Sequence, residues 1–170
     1  RSLAVTEKGY LVCIEGRSAG VWKSLPEQYA GLPVTDYKDS LIVPGLVDLH
    51  LHASQYTFRG MGMDLELLDW LNTRTFPEEA KYEDLEYAGK AYNIFAESMK
   101  KSATTRACIF ATLHREATAL LMDLMEDTGL VTMVGKVNMD RNCPDYLREE
   151  SPERSAQETR AWLDGIAGRY

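Results

Sequence analysis

Apolar and polar positions follow two different rhythms along this chain, and the change falls near residue 44. Before it, short apolar runs at 10–14, 19–22, 33–37 and 41–43 are separated by the turn formers Gly16, Gly20, Gly31, Pro33 and Asp39-Ser40. That punctuation predicts a set of short β-strands over residues 1–43. After it, strand-like and helix-like patterns alternate, as in an α/β unit with a parallel sheet. A strand over 46–51 opens on the turn Pro44-Gly45. A short helix is expected over 65–73, with Asp64 as N-cap and Pro77 as its stop. A longer helix follows over 82–100, where Leu85, Ala88, Tyr92, Phe95 and Met99 recur at steps of three and four, one helical face. Small and β-branched residues mark a second strand over 104–112. Residues 115–128 read as a helix with Ala117, Leu120, Leu121 and Leu124 inward and Gly129 at its C-terminal stop. A third strand is expected over 130–139. Ser151-Pro152 pairs a good cap with the residue best tolerated at the first helical position, and opens a last helix to about residue 167.

Composition narrows the partners. With 26 acidic and 19 basic residues among 170, the formal charge is −7, so there is no basic footprint for nucleic acid or an anionic membrane. No apolar run approaches the roughly 20 residues of a membrane span, and no signal peptide is visible. Cys13, Cys108 and Cys143 have neither disulfide-like nor metal-like spacing. Cys108, inside an apolar run, reads as a small buried hydrophobe, and a reducing, cytoplasmic setting is expected. The acidic runs Glu78-Glu79 with Glu83-Asp84 and Glu86, and Glu149-Glu150 with Glu153, read as solvated helix starts. The methionines Met61, Met63, Met122 and Met125 read as packing.

Candidate chemistry concentrates in Pro44-Gly45-Leu46-Val47-Asp48-Leu49-His50-Leu51-His52-Ala53-Ser54-Gln55. Residues two apart on a strand share a face, so His50 and His52 can reach one metal ion, and neutral imidazole suits Zn²⁺. A bare His-x-His is equally compatible with a surface pair or a satisfied core pair. Its place at the end of a buried, apolar strand favours metal. Asp48 shares the parity of both histidines and reads as a hydrogen-bonding neighbour. His114, after the second strand, reads as structural. Two histidines are too few for a catalytic zinc site, which usually has three protein ligands and water. The Gln55 carboxamide offers a donor and an acceptor, for a ligand edge or for capping its own loop. Trp70 forms either a pocket wall or an anchor for the short helix.

Pro-Gly-x-x-Asp-x-His-x-His closely resembles the first-strand signature of the amidohydrolase superfamily, metal-dependent hydrolases built on a (β/α)₈ barrel. The continuation Ala53-Ser54-Gln55-Tyr56, with Asp64-Leu65, Leu68-Asp69-Trp70-Leu71 and Thr75-Phe76-Pro77, resembles the guanine deaminases within it. So do Phe110-Ala111-Thr112 and the run Gly135-Lys136-Val137-Asn138-Met139-Asp140-Arg141-Asn142. The matching positions run from about 41 to 161. The resemblance implies an α/β fold: the first three units of a TIM-type barrel over 44–170, preceded over 1–43 by part of a small β-sandwich lobe. Because a complete barrel takes about 250 residues, the chain is expected to be an N-terminal portion of a longer enzyme. The implied reaction is hydrolytic deamination of guanine to xanthine and ammonia by zinc-activated hydroxide, with one Zn²⁺ per site. His50 and His52 are the implied metal ligands. His52, Ala53, Ser54, Gln55 and Trp70 are the implied substrate-binding residues, with Gln55 against the guanine ring. Further histidines, an aspartate and the proton-shuttling glutamate belong to later strands, so no catalytic acid or base is expected here. A homodimer is implied for the full-length form. The alternatives are another deaminase or chlorohydrolase of the superfamily, acting on an adenosine-type, cytosine or triazine substrate, and a non-catalytic binding or assembly piece. Deaminases with His/Cys zinc ligation are excluded, since no Cys-x-x-Cys occurs. Arg106 departs from the Gly-Thr-Thr-Thr common in the second strand, which leaves local packing there open.

Overall fold

The computed structural model describes residues 4–170, and the chain divides into two units, Arg1–Val43 and Pro44–Tyr170. In the first, β1 (Tyr10–Ile14) and β2 (Arg17–Trp22) form an antiparallel hairpin. Its two-residue turn, Glu15-Gly16, has positive φ at both positions (50° and 73°), the backbone that matches strand twist. Val12 is buried, and Trp22 meets Tyr29 at 5.5 Å between ring centroids. The runs 33–37 and 41–43, expected as strands, do not form strands. Asp36 accepts the Lys38 backbone N–H at 2.7 Å around a left-handed Lys38, which turns the chain between them. Neither run has a partner strand among the described residues, and an unpaired strand has no ladder to hold it.

The second unit is built on a three-stranded parallel sheet in the order β3 (Leu46–His52), β4 (Thr104–Phe110), β5 (Val131–Gly135). Three helices follow the strands: α3 (Leu85–Lys100) before β4, α4 (Arg115–Glu126) before β5, and α5 (Pro152–Ile166) after it. The sequence rhythm therefore translates into strand–helix order as expected, and the core lies between the sheet and α3 and α4. Tyr92 and Phe95 of α3 pack with Ala107 and Ile109 of β4 and with Leu121 and Met125 of α4; all are buried. Gly45 has a steric reason: a Cβ there would lie 2.2 Å from the Thr105 side chain, so only glycine lets β3 start alongside β4. Asp84 caps α3 through its Oδ1, and Ser151 caps α5 by accepting the Arg154 N–H at 3.1 Å.

Three boundaries depart from expectation. The short helix over 65–73 is instead α1 (Leu67–Trp70), running through a π-helical stretch, Leu71–Thr75, into α2 (Phe76–Ala80). Asp64 is not its cap, and Pro77 does not stop it. A proline in the first turn removes an N–H that is unpaired there anyway, and the wide stretch before it lets the helix restart. The helix expected from residue 82 begins at Leu85, after a 3₁₀ turn at Lys81–Glu83. The third strand ends at Gly135 rather than near 139, because Lys136 turns inward to an ion pair with Glu149, with side chains 1% and 7% exposed. Glu149 is therefore not part of a solvated run. It also accepts hydrogen bonds from the Met139 backbone N–H (2.6 Å) and the Ser155 hydroxyl (2.8 Å). Burial pushes its pKa up, but these donors and Lys136 outweigh it and hold the carboxyl below its ordinary range.

Candidate metal and base-binding site

His50 and His52 both project from the C-terminal end of β3, the end at which parallel α/β sheets place their sites. Their Nε2 atoms lie 3.3 Å apart. Two nitrogens each about 2.0–2.1 Å from one tetrahedral ion stand about 3.3–3.4 Å apart, so the pair has the bite of a zinc corner. Phe110, at the end of β4 and in register with His52, forms the plate beneath them. Its ring stacks on His52 at 4.9 Å and 18°, and meets His50 at 5.1 Å. Burial, and then the neighbouring His50, lower the pKa of His52, which keeps it in the neutral form a metal requires. Its Nδ1 is buried with no hydrogen-bond partner among the described residues. Asp48 Oδ1 accepts the His50 backbone N–H at 3.1 Å. No group of three or more potential ligands occurs among the described residues, so this chain offers a two-nitrogen corner rather than a closed cage.

The strand runs directly into a 3₁₀ turn, Ala53–Phe58, which carries the remaining candidates. Ala53 is buried in the core, and Gln55 is half-buried on the turn. The Ser54 hydroxyl donates to Glu79 Oε1 at 3.1 Å, and its carbonyl accepts from the Tyr82 hydroxyl at 3.3 Å. The Thr57 hydroxyl donates to Glu78 Oε1 at 2.6 Å. Phe58 meets Trp70 at 5.6 Å, and the Trp70 indole N–H donates to the Met61 carbonyl at 3.2 Å. Trp70 is thus tied to the far end of the turn, while Gln55 sits between two side chains held from α2.

That role for α2 corrects the expectation for its acidic pair. Glu78 and Glu79 are 8% and 3% exposed, buried against the turn rather than solvated. Around Glu78, burial raises the pKa, but hydrogen bonds from Lys81, Thr57 and Tyr87 outweigh it, and the group stays ionised. Glu79 has no cation partner among the described residues; burial pushes it up to about 7 against the Ser54 hydrogen bond. Only tertiary packing separates the two fates, since neighbouring carboxylates at a helix start look alike in sequence. Phe110 was likewise invisible as a site residue until the β3–β4 register was known. His114, expected as structural, precedes α4 with its ring half-buried and its pKa lowered by burial. Arg106 has the strand parity of Phe110, opposite the helix-facing Ala107 and Ile109, and is exposed.

The chain is similar to known proteins over most of its length. The family model described as the amidohydrolase family matches residues 41–168. Guanine deaminase of Homo sapiens is 37% identical over 168 residues, 95% of this chain and 36% of that protein. Guanine deaminase of Escherichia coli (strain K12) is 36% identical, over 95% of this chain and 38% of its own length. A solved structure, guanine deaminase from C. acetobutylicum with guanine bound in its active site, superimposes with a TM-score of 0.91 at 43% identity, covering 98% of this chain and 40% of that one. The chain thus spans between a third and two fifths of the length of these relatives.

Proposed function

The chain belongs to the amidohydrolase family, and from that membership we propose that it supplies one metal-binding corner and the base-reading turn of a longer enzyme that hydrolyses guanine to xanthine and ammonia. The observation that carries this reading is the pair of Nε2 atoms 3.3 Å apart, followed immediately in the chain by the turn that bears Gln55. The likeness to a structure described as guanine-bound supports guanine as the substrate.

His50 and His52 would hold the ion, and neutral imidazoles favour zinc over the hard, oxygen-seeking ions. Bound zinc would supply the Lewis acidity that lets water act as a nucleophile near neutral pH. Phe110 keeps the imidazoles oriented and excludes water from one side of them. Ala53 and Ser54 fix the path of the turn, and the Gln55 carboxamide pairs with the purine edge, which carries both donors and acceptors. His52 and Trp70 line the same pocket. The remaining ligands and the proton-transferring carboxylate come from chain beyond these 170 residues. On the same reading, residues 44–170 are the first three units of the barrel and residues 1–43 part of a separate β lobe. The full-length form is a cytoplasmic homodimer. No helix among the described residues is long and apolar enough to cross a membrane. Zinc-loaded full-length protein should convert guanine to xanthine, followed by ultraviolet absorbance. Turnover of an adenosine-type, cytosine or triazine compound with guanine left intact would replace guanine as the substrate.

A further inference from the structure

Two adjacent carboxylates on one short helix grip the same turn from the core side, yet they are built differently. Glu78 is anchored by Lys81 at 2.7 Å and accepts from Tyr87 and Thr57, so its charge is balanced and its oxygens are occupied. Glu79 has no cation partner among the described residues. Its Oε1 takes the Ser54 hydroxyl, and its Oε2 is buried with no hydrogen-bond partner among the described residues. The buried Tyr92 hydroxyl lies near enough to feel the Glu79 charge. A carboxyl placed this way costs stability unless it is protonated. A core built only for stability has cheaper ways to fill that volume. What the position does accomplish is local: through one hydrogen bond it fixes Ser54, the residue before Gln55.

We propose that Glu79 is a positioning residue for substrate recognition, acting through the Ser54 hydroxyl to hold the turn that presents Gln55 to the purine. This rests on the guanine reading above. Releasing Ser54 lets the turn relax, so the Gln55 carboxamide is no longer pre-oriented and binding must order it, which weakens affinity rather than the chemical step. The metal corner, held by β3 and Phe110, stays in place.

The test uses zinc-loaded full-length protein and measures kcat and KM for guanine together with bound zinc. Glu79→Ala should raise KM about tenfold or more, with kcat within about threefold and zinc content unchanged. Glu79→Gln, which keeps a neutral acceptor for Ser54, should recover most of that loss. Ser54→Ala should reproduce the KM effect, and it carries the test if Glu79→Ala does not fold. In the double variant the two changes should be strongly non-additive, because they remove one interaction. General destabilisation would instead lower the active fraction and leave KM alone. The proposal is overturned by an unchanged KM in Ser54→Ala or in folded Glu79→Ala, by Glu79→Gln as impaired as Glu79→Ala, or by loss of zinc accounting for the effect. An unmodified protein that leaves guanine untouched overturns the guanine reading, and this inference with it. Guanine turnover with a KM indifferent to these variants overturns this inference alone.

Discussion

At the scale of single residues, the site divides into what spacing alone dictates and what packing adds. His50 and His52 were legible because strand periodicity is rigid: residues two apart must share a face. Replacing either by alanine in the full-length protein should abolish stoichiometric zinc binding, measured by metal analysis; retention of one zinc per chain would remove that residue from the ligand set. Gln55 was legible only as a polar residue after the strand. A buried polar partner left unpaired costs about 1–3 kcal/mol, so Gln55→Ala should lower guanine turnover about tenfold or more with zinc content normal. Lost zinc or unchanged kinetics would refute its role. Glu78 and Glu79 are both buried, against the solvated helix start the sequence predicts, because nothing in the letters Glu-Glu says that the turn packs over them or that Lys81 pairs with Glu78 and not with Glu79. The raised pKa of Glu79, about 7 against an ordinary 4.5, means the folded state binds that proton more tightly than the unfolded state does. The associated stability is complete below about pH 4.5 and is lost as pH rises through about 7. Between pH 5 and 8, denaturant unfolding should therefore show the unmodified protein losing up to about 3 kcal/mol relative to Glu79→Gln. Parallel stability curves for the two would contradict the buried, protonated assignment.

At the scale of elements, the longer helices of the second unit, α3 and α4, followed their patterns because burial against the sheet enforces them. The helical face with Ala88, Tyr92, Phe95 and Met99 is the buried face of α3. Caps were readable at Ser151, where the side chain has a local partner. The failures share a cause: elements whose ends depend on distant partners. The runs at 33–37 and 41–43 have strand-like letters but no ladder, and the third strand stops where Lys136 finds Glu149 thirteen residues later. That ion pair ties the loop after β5 to the start of α5, through Met139, Ser155 and Asn138. Removing one partner leaves the other charge buried, so Lys136→Met should destabilise the protein by about 3–5 kcal/mol in denaturant titrations. A loss below about 1 kcal/mol would show that the loop is held by something else.

At the scale of the whole molecule, the sheet of the second unit ends on β3 and β5, each paired on one side only among the described residues. Leu46, Val47 and Leu49 on β3, and Val131 and Met133 on β5, are more than half exposed. Those apolar edges, a proposed metal corner of only two nitrogens and the span of only a third to two fifths of related enzymes point the same way. The 170-residue chain by itself should therefore show no deaminase activity with zinc present. The most direct test follows guanine loss by ultraviolet absorbance in full-length protein, first stripped of metal and then reconstituted with zinc. The account predicts no turnover when stripped, conversion to xanthine when zinc is restored, and no recovery in His50→Ala or His52→Ala. Guanine left intact by the zinc-loaded protein, or consumed equally well without metal, would contradict it.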